Sequence, residues 1–398
     1  MKNVTPSQRA ALKDRAARIA RLLPPLPREP SGALTPASRE AFRQAAGRIL
    51  RENRAVGAAL VLVSSPGEEI FCFGSARLRP RLPVTEETCF RVASVSKLAL
   101  SAGFLALCEA GKLSLDADLS DLLGFAVRHP RHPGIPVTPR MLLTHTASLR
   151  DEGPYAALSP ESCPPLSRLL ADPCCWTDDP PGSAFHYSNL SAGVAGVVME
   201  RAEGMPLDSV MRSRVFSPLG MRAAYDPRQI APADCLADGY RVLPFPLPRL
   251  RRYDAARLAA RPQEPFDPER DYFAAAGRMI TDSRGMASLV RLLASLEDTP
   301  ALSAASLREM RALQDGRPGI AHAGRGLGCA SLAGIFPGFD PVGHQGVAYG
   351  MCSECFADPQ TGCGVGLMTS GLRLDRRQEP LTQGGFDLLA LGFAALRR

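Results

Sequence analysis

The sequence predicts a mixed α/β (α+β) protein: a central antiparallel sheet flanked by helices, interrupted by an inserted all-helical subdomain. Three observations predict it. Two strand-like runs follow a pair of helices near the N-terminus. Residues 115–262 then show no persistent two-residue alternation and read as helical pieces broken by proline loops. Strand-like runs return late in the chain, and an apolar helix closes it.

Residues 6–23 read as an amphipathic helix, with Ala11, Leu12, Ala16, Ile19, Leu22 and Leu23 on or near one face. The stretch from Leu23 to Pro36 is proline-rich and predicts an extended connector, and a second helix follows over about 37–53. The continuous apolar run Val56–Val63 predicts a strand buried on both faces. Ile70–Phe73 pairs with it across a Ser64-Ser65-Pro66-Gly67 turn. Residues 94–111 form a helix stopped by Gly111. Within the insertion, Asn189–Ala202 is the clearest helix. Thr281-Asp282-Ser283 opens another that runs to about Leu296. Strands are expected near 326–335, 341–350, 351–357 and 363–369, and a helix over Phe386–Leu396. The expected organisation is therefore an N-terminal helix and connector (1–36), a sheet subdomain (37–114 with 263–398) and a helical subdomain (115–262), with an active site between the last two.

Composition bounds the function. The chain has 398 residues, enough to bury a large core, with 45% hydrophobic and 22% charged residues, as in soluble globular proteins. The net charge of +7 is thinly spread. The densest basic run, Arg249-Leu250-Arg251-Arg252, reads as a solvated loop, so no nucleic-acid surface is expected. Charged residues interrupt every apolar stretch up to Leu23, and no run is long enough for a membrane span. Eleven cysteines without an export signal fit reduced thiols in the cytoplasm. Cys352 and Cys355 make a C-x-x-C, but on one strand they face opposite sides, and His129 and His132 sit in a loop; no metal and no cofactor are expected.

Three short stretches carry chemistry. The first is Ser94-Val95-Ser96-Lys97, at a strand-to-helix entry. Only four of the 47 basic side chains are lysines (Lys2, Lys13, Lys97, Lys112). Lysine, unlike arginine, can lose its proton when buried, and three residues on it shares a helical face with Ser94. The helix N-terminus offers free N–H groups to an oxyanion. Ser96 points elsewhere, and Ser101 lies a turn deeper. The second is Tyr187-Ser188-Asn189, which enters the 189–202 helix from a Pro180-Pro181-Gly182 loop. Tyr187 and Asn189, two apart, face one side. A phenol beside a lysine ammonium can serve as a base; the alternative is a core tyrosine with an asparagine cap. The third is Gly343-His344-Gln345-Gly346-Val347 on a late strand. Glycine there lets a substrate lie along the strand, and the Val347 N–H pairs with that of Ser94 as an oxyanion hole.

In this order the three stretches resemble the boxes of the serine hydrolase superfamily that holds class C β-lactamases, D,D-peptidases and related esterases. Ser94-Val95-Ser96-Lys97 is similar to its S-x-x-K box and Tyr187-Ser188-Asn189 to its Y-x-N box. His344-Gln345-Gly346 stands where the superfamily has K-T-G or H-x-G. Glu109–Asp116 and Pro139–Thr146 also look similar, and the resemblance covers about residues 38–395. It implies a β-lactamase/transpeptidase-like fold and an acyl-enzyme on Ser94. Lys97 and Tyr187 would be acid and base, Asn189, His344, Gln345 and Gly346 would bind substrate, and the Ser94 and Val347 N–H groups would hold the oxyanion.

The chain departs from the pattern at His344, which lacks a lysine's fixed charge for a substrate carboxylate, and at Gln345, bulky enough to narrow the pocket. The expected substrate is a small ester, amide or lactam, with ester or amide hydrolysis favoured. β-Lactamase or D,D-peptidase activity, acyl transfer, and a non-catalytic binding role on this scaffold are the alternatives. The oligomeric state is left open.

Overall fold

The computed structural model describes residues 6–397 except 66, 159–162, 231, 244–248, 256–265, 268, 271, 314–324, 374–376 and 379–380. Two helices lead: α1 (Pro6–Ala20) and α2 (Pro36–Glu52). Thr35 caps α2 by accepting the Ser38 N–H, and Pro36 fills its first position. A hairpin follows, β1 (Gly57–Ser64) and β2 (Gly67–Leu78), extended by β3 (Arg81–Pro83). Then β4 (Phe90–Arg91) runs through a 3-10 turn at Ala93–Val95 into α3 (Ser96–Glu109).

The insertion carries α4 (Leu119–Leu123), β5 (Arg128–His129), β6 (His132–Pro136), α5 (Pro139–Leu143), α6 (Leu166–Leu170), α7 (Asn189–Glu203), α8 (Leu207–Met211), β7 (Ala223–Ala224), β8 (Gly239–Leu243) and β9 (Arg249–Tyr253). It is therefore not all-helical: β5 pairs with β6 and β8 with β9 in short antiparallel hairpins. The run Arg249–Arg252 is part of β9 rather than a loop. Short pairings like these carry too little apolar alternation to show in the sequence. The expected boundary at 262/263 lies outside the described residues.

The chain then forms α9 (Ala274–Gly277), β10 (Ile280–Thr281), α10 (Ser283–Ala294), α11 (Ala304–Arg311), β11 (Ala330–Ser331), β12 (Val342–Ala348), β13 (Met351–Asp358), β14 (Cys363–Ser370) and α12 (Gln383–Leu396). The strand expected over 326–335 shrinks to two residues, because Gly328 and Gly334 turn the backbone into positive φ on either side.

One seven-stranded antiparallel sheet organises the molecule, in the order β11-β12-β13-β14-β1-β2-β3. Strand β1 is central and explains its unbroken apolar run. Ala58, Leu60 and Leu62 join a core with α1, α2 and α12, whereas Ala59, Val61 and Val63 join the other core with α3, α7 and α10. Each fully buried Val or Leu side chain contributes about 1.5–3 kcal/mol. The N-terminal helix belongs to this body. Leu12 and Ala16 are buried in the core shared with α2 and α12, and Arg15 bonds both Asp387 carboxylate oxygens at 2.6 Å, tying α1 to α12.

Cys352 faces α12, with its Sγ 3.4 Å from Thr382 Oγ1, and Cys355 lies in the opposite core. All eleven cysteines are free thiols. Among the described residues no helix is long and apolar enough to cross a membrane, and no cluster of His, Cys, Asp and Glu is arranged to hold a metal.

Candidate active site

Ser94 stands in the turn between β4 and α3. The residue before it, Ala93, has φ +49, a left-handed conformation that costs a non-glycine residue about 1 kcal/mol or more. The strained turn brings Ser94 up against β12. A Cβ on Gly346 would lie 2.1 Å from Val92 O and 2.8 Å from the Ser94 N, so only glycine permits this approach.

Two of the residues singled out in the sequence, Tyr187 and Lys97, meet Ser94, and a third, Asn189, meets Lys97. Tyr187 donates its hydroxyl proton to Ser94 Oγ at 2.8 Å. Lys97, 2% exposed, donates from Nζ to Ser94 Oγ at 3.3 Å, Asn189 Oδ1 at 2.9 Å and Ala276 O at 2.6 Å. Three oxygen acceptors match the three protons of an ammonium. Its Nζ also lies 5.0 Å from the centre of the Tyr187 ring. Ser96 is buried and tied down: its hydroxyl donates to Ala93 O and accepts the Met279 N–H at 3.1 Å. Ser101 is fully buried in α3.

The cap of α7 is Ser188, whose Oγ accepts the Ser191 N–H at 3.1 Å, so Asn189 occupies the first helical position and its side chain is free for Lys97. What fixes that side chain is Asp151, which sequence reasoning missed. One carboxylate oxygen accepts from Asn189 N at 2.9 Å and Asn189 Nδ2 at 2.8 Å. The other accepts from Ser188 Oγ at 3.0 Å and Leu190 N at 3.1 Å. A carboxylate only accepts, so Asn189 must turn its amide NH2 to Asp151 and its carbonyl to Lys97. Asp151 sits six residues beyond His145, in an Asp-Glu-Gly-Pro stretch that reads as an ordinary turn. Ala276 acts through its backbone and leaves no side-chain signal.

Two imidazoles flank Tyr187. The His145 ring is 4.5 Å from the Tyr187 ring and that of His344 6.1 Å. His145 Nδ1 accepts the Ser188 N–H at 3.3 Å, whereas His344 Nδ1 donates to the Gln345 carbonyl. The two rings therefore carry opposite tautomers. Both are more than nine-tenths buried, and burial first, then the Lys97 charge, holds both well below the usual histidine range. Arg325, stacked 4.1 Å from the Phe185 ring, adds to the effect.

Gln345 departs from expectation. Successive residues of β12 alternate faces. His344 and Gly346 face Ser94, and Gln345 faces α12, where its amide donates to the fully buried carboxyl of Glu354 on β13. It does not narrow the cleft. Burial pushes the Glu354 carboxyl well above the usual carboxylate range.

The fold and this constellation define a class, and comparison names it. The beta-lactamase family matches residues 41–386, and the chain belongs to that family. Esterase EstB of Burkholderia gladioli is 34% identical over 193 residues, covering 44% of this chain and 48% of that protein. The chain thus spans about half the length of the curated relatives it matches. Among solved structures, the octameric penicillin-binding protein homologue from Pyrococcus abyssi superposes with a TM-score of 0.68 at 21% identity, over 84% of this chain and 73% of that one. EstCE1, described as a hydrolase with promiscuous acyltransferase activity, superposes with a TM-score of 0.64 at 22% identity, over 98% and 99%. Both share the fold.

Proposed function

We propose that this protein is a serine hydrolase that cleaves small carboxylic esters or amides through an acyl-enzyme on Ser94. The observation that carries the reading is the convergence of Tyr187 Oη at 2.8 Å and Lys97 Nζ at 3.3 Å on one serine oxygen. Once the Tyr187 hydroxyl has released its proton to solvent, Ser94 Oγ attacks the substrate carbonyl and passes its own proton to the phenolate oxygen. The Lys97 ammonium, anchored by Asn189 and Ala276, offsets the negative charge on that oxygen. Tyr187 returns the proton to the leaving alcohol or amine, and water releases the acyl group by the same steps in reverse.

The oxyanion hole is assigned to the N–H groups of Ser94 and Val347. Among the described residues, strand β11 pairs with β12 only at Val342 and Gly343, which leaves residues 344–348 with no described partner strand on that side. Leu332 N donates to Pro341 O at 2.8 Å across this edge. Alternation in steps of two directs the Val347 N–H to the same open edge. The buried, neutral His344 offers no fixed cation to a carboxylate, which favours substrates that lack one.

Replacing Ser94 with alanine is expected to lower turnover of a short p-nitrophenyl ester by at least about 10³-fold while leaving the fold intact. Unchanged hydrolysis by Ser94→Ala protein sinks the proposal. Turnover of a chromogenic cephalosporin equal to that of the ester would redirect it to lactam substrates.

A further inference from the structure

A second cluster of nucleophilic groups lies below the nucleophile turn. The Cys89 N–H donates to the Cys235 carbonyl at 2.9 Å, and the Ala237 N–H donates to the Cys89 carbonyl at 2.9 Å. Residues 235–237 thus run beside Cys89, with a parallel bridge at Leu236. This backbone contact brings the two cysteines alongside one another, as a disulfide requires. The Cys89 S–H reaches the Glu87 carbonyl at 3.5 Å, and the Cys235 side chain packs against the cluster that holds Cys89 and interacts with it. Arg222 donates from Nη2 to the same Cys235 sulfur at 3.1 Å, and its own backbone carbonyl is held by Thr281 Oγ1 at 3.0 Å. Cys89 is buried among Ala224, Leu236 and Ile280, whereas Cys235 lies at the edge of that cluster, partly exposed.

We infer that Cys89 and Cys235 form a hydroperoxide-responsive dithiol, a modification site distinct from the Ser94 cleft. The division of labour follows from the contacts. The interaction with Cys89, then the Arg222 charge, lowers the Cys235 thiol to about 7, against the opposing charge of Asp234. The same interaction, burial and the nearby Asp282 carboxylate push Cys89 up. Burial raises the thiols of Cys72, Cys108 and Cys175, so Cys235 stands apart from them. The Cys235 thiolate attacks the peroxide. An S–O bond forms, the O–O bond breaks, sulfur is oxidised to a sulfenic acid, and hydroxide leaves. Cys89 then gives up its proton and attacks that sulfur. The S–S bond forms, the S–O bond breaks, and the second hydroxide departs with the proton as water.

The test is peroxide treatment of the full-length wild-type protein, followed by peptide mapping under non-reducing conditions. The expected result is a Cys89–Cys235 cross-linked peptide, two hydrogens lighter than its parts and lost on adding dithiothreitol. In Cys89→Ser the reaction should stop at Cys235 sulfenic acid, trapped as a dimedone adduct. At pH 7, iodoacetamide should label Cys235 at least about threefold faster than the exposed Cys174. Absence of the cross-link from oxidised wild-type protein overturns the inference. Labelling of Cys235 no faster than Cys174 overturns it too.

Discussion

Asp151 touches neither Ser94 nor the tyrosine, yet four of its hydrogen bonds set the asparagine that steadies Lys97. Its removal should act twice. Asp151→Ala is expected to cost about 1–2 kcal/mol of stability through the lost anion at the start of α7. It should also lower kcat by about 10- to 100-fold, because Asn189 is then free to rotate away from Lys97. Thermal melting and ester kinetics on one preparation separate the two effects; full activity in a destabilised variant would leave Asp151 a helix cap only. Gly346→Ala should behave differently, with a folded protein at least about 10²-fold less active, since its methyl group has to push the Ser94 turn off β12. Circular dichroism and turnover check it. Ser94, Lys97, Tyr187 and Asn189 were legible in the sequence because each is a reactive side chain at a fixed offset. Asp151 and Ala276 were not, since one looks like a loop acid and the other contributes only a carbonyl. Gln345 was misread for a geometric reason: a motif states adjacency, but a pleated strand sends neighbours to opposite faces.

At the level of elements, long apolar patterns were readable and short pairings were not. The central hairpin, α3, α7, α10 and the closing helix follow from periodicity, caps and glycine stops. The two hairpins of the insertion and the two-residue β11 depend on partners distant in sequence. The role of α1 was equally hidden, because an amphipathic helix does not name the surface it covers. The structure gives it α12, through Leu12, Ala16 and the Arg15–Asp387 pair. Arg15→Ala leaves a buried carboxylate without its partner and is expected to cost about 1–3 kcal/mol. Chemical denaturation should record a lower midpoint with little change in ester turnover at low temperature, since α1 lies across the sheet from Ser94.

Over the whole molecule, buried titratable groups bound the pH range of stability from both sides. In the fold Glu354 keeps its proton above the unfolded value of 4.5, so the native state binds more protons and stability falls as pH rises beyond that value. His145 and His344 act in the opposite sense. Their folded values lie below 6.5, so the unfolded state binds more protons and stability falls as pH drops through 6.5. Glu354→Gln keeps an acceptor for Gln345 and removes the proton. Its melting temperature between pH 6 and 9 should fall less steeply than that of wild type, and parallel curves would refute the assignment.

The sheet order carries a consequence for how the chain comes into being. Strand β1 pairs on one side with β2, a few residues away, and on the other with β14, where Gly57 meets Ser370. At about 5–20 residues per second, a ribosome needs roughly 15–60 s to supply that partner. For all that time β1 has an open edge and two sticky faces. The nascent protein therefore depends on something to shield its first hairpin while the remainder is made.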